Sequence, residues 1–220
     1  MSSNPTLIAF ALAVLALAAS PGPDLALLIG RGIGQGKHAA FFTALGMLLA
    51  GFIQVPLLAL GLGLVVASFS MAFTLVRVVG AIYLAWRGVV LLRRSGAIDS
   101  PTVSGKTTVI AALRDGLVAS LSNPKGLIFM LAFLPQFVDP NRGPVAEQML
   151  FLGVAMKLLA FALEAVIAIA AGVLGRQLAR VPSLMLWQNR LTGCVMIALS
   201  LRLLLAGDMR AGATIRKAKL

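Results

Sequence analysis

The stretch "ALAASPGPDLALLIG", residues 16–30, places Pro21, Gly22, Pro23 and an acid, Asp24, inside an otherwise apolar run. A proline has no backbone N–H, and in a helix it frees the carbonyl group four residues earlier. In lipid, such freed groups must find partners in neighbouring helices or in a water-lined cavity. We therefore predict a membrane helix that is unwound near its middle, with the unwound backbone in the protein interior.

The composition of the whole chain is that of a membrane protein. Of its 220 residues, 60% are hydrophobic and only 12% are charged, whereas about 25% are charged in a typical soluble domain. Several apolar runs reach the ~20 residues that span a bilayer. The net charge of +12 comes from basic residues in the gaps between these runs. This distribution is typical of charges that orient a membrane protein, so we expect contact with lipid and none with nucleic acid.

The chain contains one cysteine, Cys194, and one histidine, His38. A single cysteine cannot form an internal disulfide or a CxxC redox pair, and a single histidine gives no pair of ligands for a metal or haem. We therefore expect no cofactor, no metal and no enzymatic activity. Residues 1–6 contain no Lys or Arg, so we interpret the first apolar run as a retained span and not as a signal peptide.

Six apolar runs, bounded by charged or turn residues, predict six membrane helices. They cover approximately residues 5–30, 39–67, 72–94, 113–135, 145–177 and 185–206. A polar loop at about 95–112 separates a first repeat (about 5–94) from a second (about 113–206), and a basic tail follows at 207–220. The predicted fold is an all-α integral membrane protein. It is a single transporter domain of two inverted three-helix repeats, in which helices 1 and 4 are broken.

Basic residues near the span ends predict the orientation. Nine of them follow spans 1, 3 and 5: Arg31, Lys37, Arg93, Arg94, Lys106, Arg114, Arg176, Arg180 and Arg190. Before the tail, the opposite side has only Arg77 and Arg142. We predict that the nine are cytoplasmic, that the N-terminus is periplasmic and that the basic tail is also outside. Five spans with a cytoplasmic tail remain the alternative.

A second break matches the first. The segment "ASLSNPKGLIF", residues 119–129, aligns with "AASPGPDLALL", residues 18–28, on Pro124 and Pro23, so that Lys125 corresponds to Asp24. Because each half has three spans, the second half is inverted relative to the first. Interrupted helices at corresponding positions of inverted repeats mark the binding site of many transporters. The candidate substrate-binding residues are Pro21, Gly22, Pro23, Asp24, Asn123, Pro124 and Lys125.

Two further ionisable side chains, Lys157 and Glu164, lie seven residues apart in span 5 and therefore on one helix face. A charge at bilayer depth normally faces a cavity or a partner. We expect these two to pair with each other or with Asp24 and Lys125, or to take part in transport. Asp24, Lys157 and Glu164 are the candidates for proton coupling or ion pairing.

Three other polar side chains within the apolar runs carry weaker signals. Arg77 lies near the start of span 3 and could snorkel to the surface. Arg87 lies deeper in that span and could reach an interface if the span is shorter than drawn. Gln54 in span 2 is a weak candidate for a polar cavity wall.

Three segments resemble the LysE/RhtB family of amino-acid exporters. They are "ASPGPDLALLIGRGIGQGKHAAFFTALG" (19–46), "LVRVVGAIYLAWRGVVLLRR" (75–94) and "SLSNPKGLIFMLAFLPQFVDP" (120–140). Each is similar to a span signature of the family, and with the six-span plan they account for nearly the whole chain. The family's Pro-Gly-Pro motif falls on residues 21–23 and its Asn-Pro-Lys motif on residues 123–125. The tyrosine of its third-span pattern falls on Tyr83, which becomes a further substrate-binding candidate.

The resemblance implies a secondary transporter of the inner membrane that exports amino acids or close derivatives, driven by proton exchange. Asp24 would then pair with the substrate ammonium and Lys125 with its carboxylate, while Asp24 or Glu164 would carry the proton. An exporter of a metal or other small cation and a passive channel are the alternatives. The sequence leaves open which amino acid is moved, the stoichiometry of coupling and whether the chain forms a homo-oligomer.

Overall fold

The computed structural model describes residues 4–68, 70–93, 105–139, 142–178 and 190–201, together with Trp187 and Leu204. Within those ranges, the side chains at 4–6, 62–74, 76, 77 and 175–178 lie outside the described part. The described elements are helical: α1 (Asn4–Ala19), α2 (Pro23–Gln35), α3 (Lys37–Ser68), α4 (Ser70–Arg93), α5 (Val109–Ser122), α6 (Pro124–Phe133), a 3-10 turn (Leu134–Phe137), α7 (Val145–Leu178) and α8 (Arg190–Leu201). The predicted all-α membrane fold is confirmed.

Helices 1 and 4 are broken where the prolines predict. Leu7–Ala19 and Pro23–Gln35 are bent by 61°, and Val109–Ser122 and Pro124–Phe137 by 53°. Pro23 and Pro124 are the first residues of α2 and α6. At this position a backbone N–H makes no hydrogen bond within the helix, so its absence in proline costs no hydrogen bond. Because both helices restart in the same way, the second residue of each is the ionisable one, Asp24 or Lys125.

Two unbroken helices, Lys37–Gly61 and Val145–Leu174, are long and apolar enough to cross a membrane, and each bent pair qualifies as one further span. Helix α4 occupies the predicted third span. Of the predicted sixth span, the structure describes the shorter apolar helix α8. Many large apolar side chains in the described residues are well exposed, for example Leu57 at 69% and Phe151 at 74%. These side chains face the lipid expected around a multi-pass membrane protein.

The boundaries of the two broken spans differ from the prediction. The first span continues to Gln35 instead of ending near residue 30, and the fourth begins at Val109 instead of near residue 113. The reason is Arg31, whose charge was expected to lie in a loop. Its guanidinium is instead buried and forms an ion pair with Asp115, so α2 can include it.

Helices α3 and α5 cross closely at small residues. A Cβ atom on Gly46 of α3 would lie 2.1 Å from the Leu113 carbonyl oxygen of α5. A Cβ on Gly116 of α5 would lie 2.0 Å from the Thr43 carbonyl oxygen of α3. Such small residues allow membrane helices to approach with their backbones in contact. This crossing places α3 against the second break.

Beside this crossing, Arg31 and Asp115 join α2 to α5. The Arg31 side chain is 4% exposed and that of Asp115 is 36% exposed. Arg31 also donates to Gln35 Oε1 and to Thr107 Oγ1, both at 3.3 Å. Arg114, 72% exposed, binds the outer side of Asp115. The buried cation therefore depends on one carboxylate for its charge balance.

Replacing Asp115 with alanine is expected to destabilise the purified protein by about 2 kcal/mol, because a buried cation loses its partner. For a chain of this size that corresponds to a fall in Tm of roughly 4–8 °C, measured in detergent. Arg114→Ala is the matched control, since it removes only the exposed member of the cluster, and its Tm should stay near that of the wild type. Equal Tm losses for the two variants would contradict the assignment.

Candidate functional site

The two breaks are in direct contact, and each is held by a residue of the other. The side-chain amide of Asn123 donates to Asp24 Oδ2 at 2.7 Å. The ammonium group of Lys125 donates to the Leu17 carbonyl at 3.3 Å, and to the carbonyl and hydroxyl oxygens of Ser20 at 3.2 and 3.1 Å. These contacts bring together the two segments that contain the candidate substrate-binding residues.

Lys125 occupies the end of α1 for a physical reason. The last carbonyl groups of a helix lack donors from the helix itself, and the helix dipole makes that end negative. Lys125 is 6% exposed, and its ammonium supplies both the missing donors and the compensating charge. The Lys125 side chain also passes close to Gly22, where a Cβ would be in ordinary van der Waals contact with Nζ at 3.4 Å.

Asn123 serves both breaks at once. Its side-chain oxygen accepts from the Lys125 backbone N–H at 3.0 Å and so caps the start of α6. Its side-chain nitrogen is then free to donate to Asp24. An asparagine can do this because its amide carries an acceptor and donors together.

The structure adds Arg87 to the site, although its sequence signal was weak. Arg87 of α4 donates from Nη2 to the carbonyl oxygen of Pro21 at 2.7 Å, so a helix outside the two breaks holds the unwound backbone. Its Nε is buried with no hydrogen-bond partner among the described residues. The only sequence indication was a charge deep in an apolar run, which normally marks an interior contact.

A cavity of about 40 Å³ lies between the two breaks, α3 and α7. Its polar lining consists of Asp24, Ser120, Asn123, Lys125, Lys157 and Glu164, and its apolar lining of Leu17, Ala18, Met47, Leu48, Met156 and Ala160, with Gly126 between them. The cavity thus presents two carboxylate and two ammonium side chains beside a mainly aliphatic wall. The charges balance.

The polar atoms of the cavity are unequally satisfied. Asp24 Oδ1 is buried and has no hydrogen-bond partner among the described residues. The Lys157 ammonium donates to Gln54 Oε1 at 2.9 Å, and Gln54 Nε2 donates to the Ser120 carbonyl at 3.0 Å. Gln54 therefore links α7 to the end of α5 from behind the cavity wall. Gln54 was a weak candidate for the cavity wall, and in the structure it does not line the cavity but binds Lys157, which does.

The ion pairs expected among the four cavity charges are not formed. Within the described residues the ion pairs are Arg31–Asp115, Arg114–Asp115 and Arg142–Asp139. The expectation failed because neutral oxygen atoms meet the two lysines: the carbonyl groups at the end of α1 bind Lys125, and Gln54 binds Lys157. The carboxylates of Asp24 and Glu164 therefore line the cavity without an ion pair to any described lysine or arginine.

The remaining predicted site residues lie around the cavity and not on its wall. Pro21 is buried and gives its carbonyl to Arg87, while Pro23 and Pro124 are exposed. Tyr83 of α4 packs against the apolar core, with its ring centroid 6.0 Å from that of Trp86. The side chain of Arg77 lies outside the described part, as do the tail at 207–220 and Arg202. Among the described residues, no three His, Cys, Asp or Glu side chains are grouped to hold a metal.

Comparison with known proteins identifies relatives across most of the chain. Residues 15–207 match the family described as LysE type translocator. An uncharacterized membrane protein of Vibrio cholerae is 29% identical over 84% of this chain and 90% of its own. The leucine efflux protein of Enterobacter sp. (strain 638) is 26% identical over 83% and 87%. The homoserine/homoserine lactone efflux protein of Salmonella typhimurium is 31% identical over 66% and 70%. No solved structure matches the chain significantly.

Proposed function

Because the chain belongs to the LysE type translocator family, we propose that it exports amino acids or close derivatives across the inner membrane, in exchange for protons. The names of its relatives, which include efflux proteins for leucine and homoserine, support this substrate class. The observation that carries the proposal is the charge-balanced cavity between two broken helices. Transporters with inverted repeats bind their substrates at such a place.

The cavity lining suits a zwitterion with an aliphatic side chain. Asp24 Oδ1, buried and without a partner among the described residues, is the group we assign to the substrate ammonium. Leu17, Met47 and Met156 line the same space, and burial of apolar surface against them favours an aliphatic side chain. A substrate with a net charge would unbalance two carboxylates and two ammonium groups. Leucine is therefore the first amino acid to test.

The cavity must widen during transport. A volume of about 40 Å³ accommodates only a few water molecules, which is less than an amino acid such as leucine requires. We infer that substrate enters when the helix halves on one side move apart. Alternation between two such openings around a fixed site is the usual mechanism of inverted-repeat transporters.

Glu164 is the group that we assign to proton transfer. It lines the cavity and is partly exposed, and no hydrogen bond or ion pair joins its carboxylate to a described residue. Because no described residue bonds to this carboxylate, it can exchange a proton with the side of the membrane to which the cavity is open. In our orientation the N-terminus is periplasmic, and α2 and α5, which Arg31 and Asp115 join, form the cytoplasmic side.

Counterflow in proteoliposomes tests the proposal. Purified protein is expected to exchange labelled leucine against an internal pool of unlabelled amino acids in a saturable manner. An imposed pH gradient should drive net leucine flux, because proton exchange couples the two gradients. Empty liposomes and liposomes containing Asp24→Asn protein serve as controls. Flux of metal ions alone, or amino-acid flux that neither saturates nor responds to the gradient, would contradict the proposal.

A further inference from the structure

We propose that Lys157, and not Lys125, binds the substrate carboxylate. Lys157 would thereby determine the preference for amino acids over derivatives that lack the carboxylate. The inference rests on the proposed function, since it assigns a role within the same cavity. From the sequence, Lys125 was expected to bind the carboxylate, because position 125 corresponds to position 24 in the other break. The new assignment follows from how the two lysines use their hydrogen-bond donors.

Lys125 has no donor left for a substrate. A lysine ammonium carries three N–H donors, and Lys125 Nζ makes three hydrogen bonds at 3.1–3.3 Å to Leu17 and Ser20. These acceptors lie at the end of α1, where the carbonyl groups have no helical partner. A carboxylate could bind Lys125 only by displacing it from them. Lys125 is thus a positioning residue that holds the first break in shape.

Lys157 has donors to offer. Its ammonium makes one hydrogen bond among the described residues, to Gln54 Oε1 at 2.9 Å, which leaves two N–H groups. It lines the cavity, and no described carboxylate lies at ion-pair distance. Its charge is therefore neutralised by no fixed partner, and a substrate carboxylate would supply one.

The stem of Lys157 is guided into the cavity by α3. A Cβ atom on Gly51 would lie 2.7 Å from both Cγ and Cδ of Lys157, so the absence of a side chain at Gly51 creates the channel that the stem occupies. Gln54, one turn further along α3, then orients the ammonium and is itself fixed by the Ser120 carbonyl. This support keeps the ammonium on the cavity wall formed by α3 and α7.

The two proposed substrate contacts come from different elements. Asp24 belongs to α2, at the first break, and Lys157 to α7. An α-amino acid carries its ammonium and its carboxylate on the same carbon atom, so one molecule bound between Asp24 and Lys157 presents a group to each, with its side chain against Met47 and Met156. A charge-assisted hydrogen bond at each end fixes its orientation.

The test compares leucine with leucinamide, which keeps the ammonium and lacks the carboxylate, as competitors of labelled leucine in counterflow. Wild-type protein should favour leucine at least about tenfold, the effect of a charged hydrogen bond of ~1.5 kcal/mol. Lys157→Gln should raise the KM for leucine by a similar factor and should no longer distinguish the two compounds. Lys157→Arg keeps the charge and should retain the preference. Lys106→Gln, at an exposed lysine outside the cavity, is the control.

Several outcomes would overturn the inference. If Lys157→Gln folds and transports, as shown by its Tm and counterflow, and still prefers leucine as the wild type does, Lys157 is not the ligand. Equal competition by leucinamide in the wild type would show that no residue recognises the carboxylate. The proposed amino-acid transport would not be affected by that result. Absence of transport of any amino acid by the wild type would instead remove the proposed function itself. If Lys157→Gln does not fold, loss of the preference in Lys157→Arg would contradict a role for its charge.

Discussion

Replacing Asp24 with asparagine is expected to reduce export by at least about tenfold, because losing one partner of a desolvated charge pair costs ~2 kcal/mol or more. The substitution keeps the shape of the side chain and retains an oxygen that can accept from Asn123, which donates to Asp24 Oδ2 at 2.7 Å. The buried Oδ1, which has no partner among the described residues, is replaced by an NH₂ group. That group repels the substrate ammonium instead of binding it.

The measurement is initial efflux of labelled leucine, normalised to the amount of folded protein in the membrane. Glu147→Gln is the matched control, since Glu147 is an exposed carboxylate in the first turn of α7 and away from the cavity. Its export should equal that of the wild type. Full export by Asp24→Asn with an unchanged KM would show that the substrate ammonium binds elsewhere.

Replacing Lys125 with methionine is expected to prevent the first break from forming and to reduce the yield of folded protein at least about tenfold. Methionine has a similar length but no donor, so the buried Ser20 carbonyl oxygen loses the ammonium from which it accepts, whereas the Leu17 carbonyl keeps the Ser20 N–H and hydroxyl as donors. Each buried acceptor without a donor costs about 1–3 kcal/mol, and a helix end also loses the cation that its dipole favours. A loss of a few kcal/mol is a large fraction of the roughly 5–15 kcal/mol that stabilises a typical domain.

Folded yield is measured by size-exclusion chromatography in detergent and by Tm, with Lys106→Met as the control at an exposed lysine. The same experiment separates the two roles considered for Lys125. If Lys125→Met folds with the Tm of the wild type and loses only leucine transport, Lys125 is a substrate ligand and the positioning role assigned to it is wrong.

The broken helices could be predicted from sequence because their cause is local. Pro23 and Pro124 disrupt a helix wherever they occur in it, and the match between Asp24 and Lys125 required only an alignment of two short segments. Counting spans predicted that the second half is inverted relative to the first, and this inversion stays a prediction. A shared binding site at the two breaks stays a prediction, and the Asn123–Asp24 hydrogen bond shows that the two segments are in contact.

The contacts that decide the roles of the charges were not predictable from the same local patterns. Arg87 and Gln54 each form a hydrogen bond at the site with a residue 66 positions away in the chain. Whether a lysine in an apolar run meets a carboxylate or a carbonyl depends on which backbone groups the fold leaves free. The pairing of Lys125 with the end of α1 could be found only once both breaks were in place.

Arg31 illustrates the same limit for topology. Counting basic residues near span ends treats each as a loop charge, and Arg31 was counted in this way. In the structure it is buried within α2 and paired with Asp115. A rule based on charge along the sequence does not distinguish a solvated arginine from one whose charge is neutralised by an aspartate 84 residues away in the chain.

The account rests on the claim that the substrate occupies the cavity between the two breaks, and thiol protection tests it directly. Gly126 lines that cavity, and a Cβ there meets nothing within 4 Å, so Gly126→Cys introduces a thiol into the site without a clash. The background is Cys194→Ser, which removes the single native cysteine. Gly61→Cys is the matched control, because a Cβ at Gly61 also meets nothing within 4 Å and Gly61 does not line the cavity.

The rate of modification by N-ethylmaleimide is measured in detergent at increasing leucine concentration. We predict that leucine slows labelling of the Gly126→Cys protein, with half-protection at the concentration that half-saturates transport, and leaves the Gly61→Cys protein unaffected. Labelling at position 126 that is unchanged by leucine, in a protein that still transports leucine, would contradict the claim.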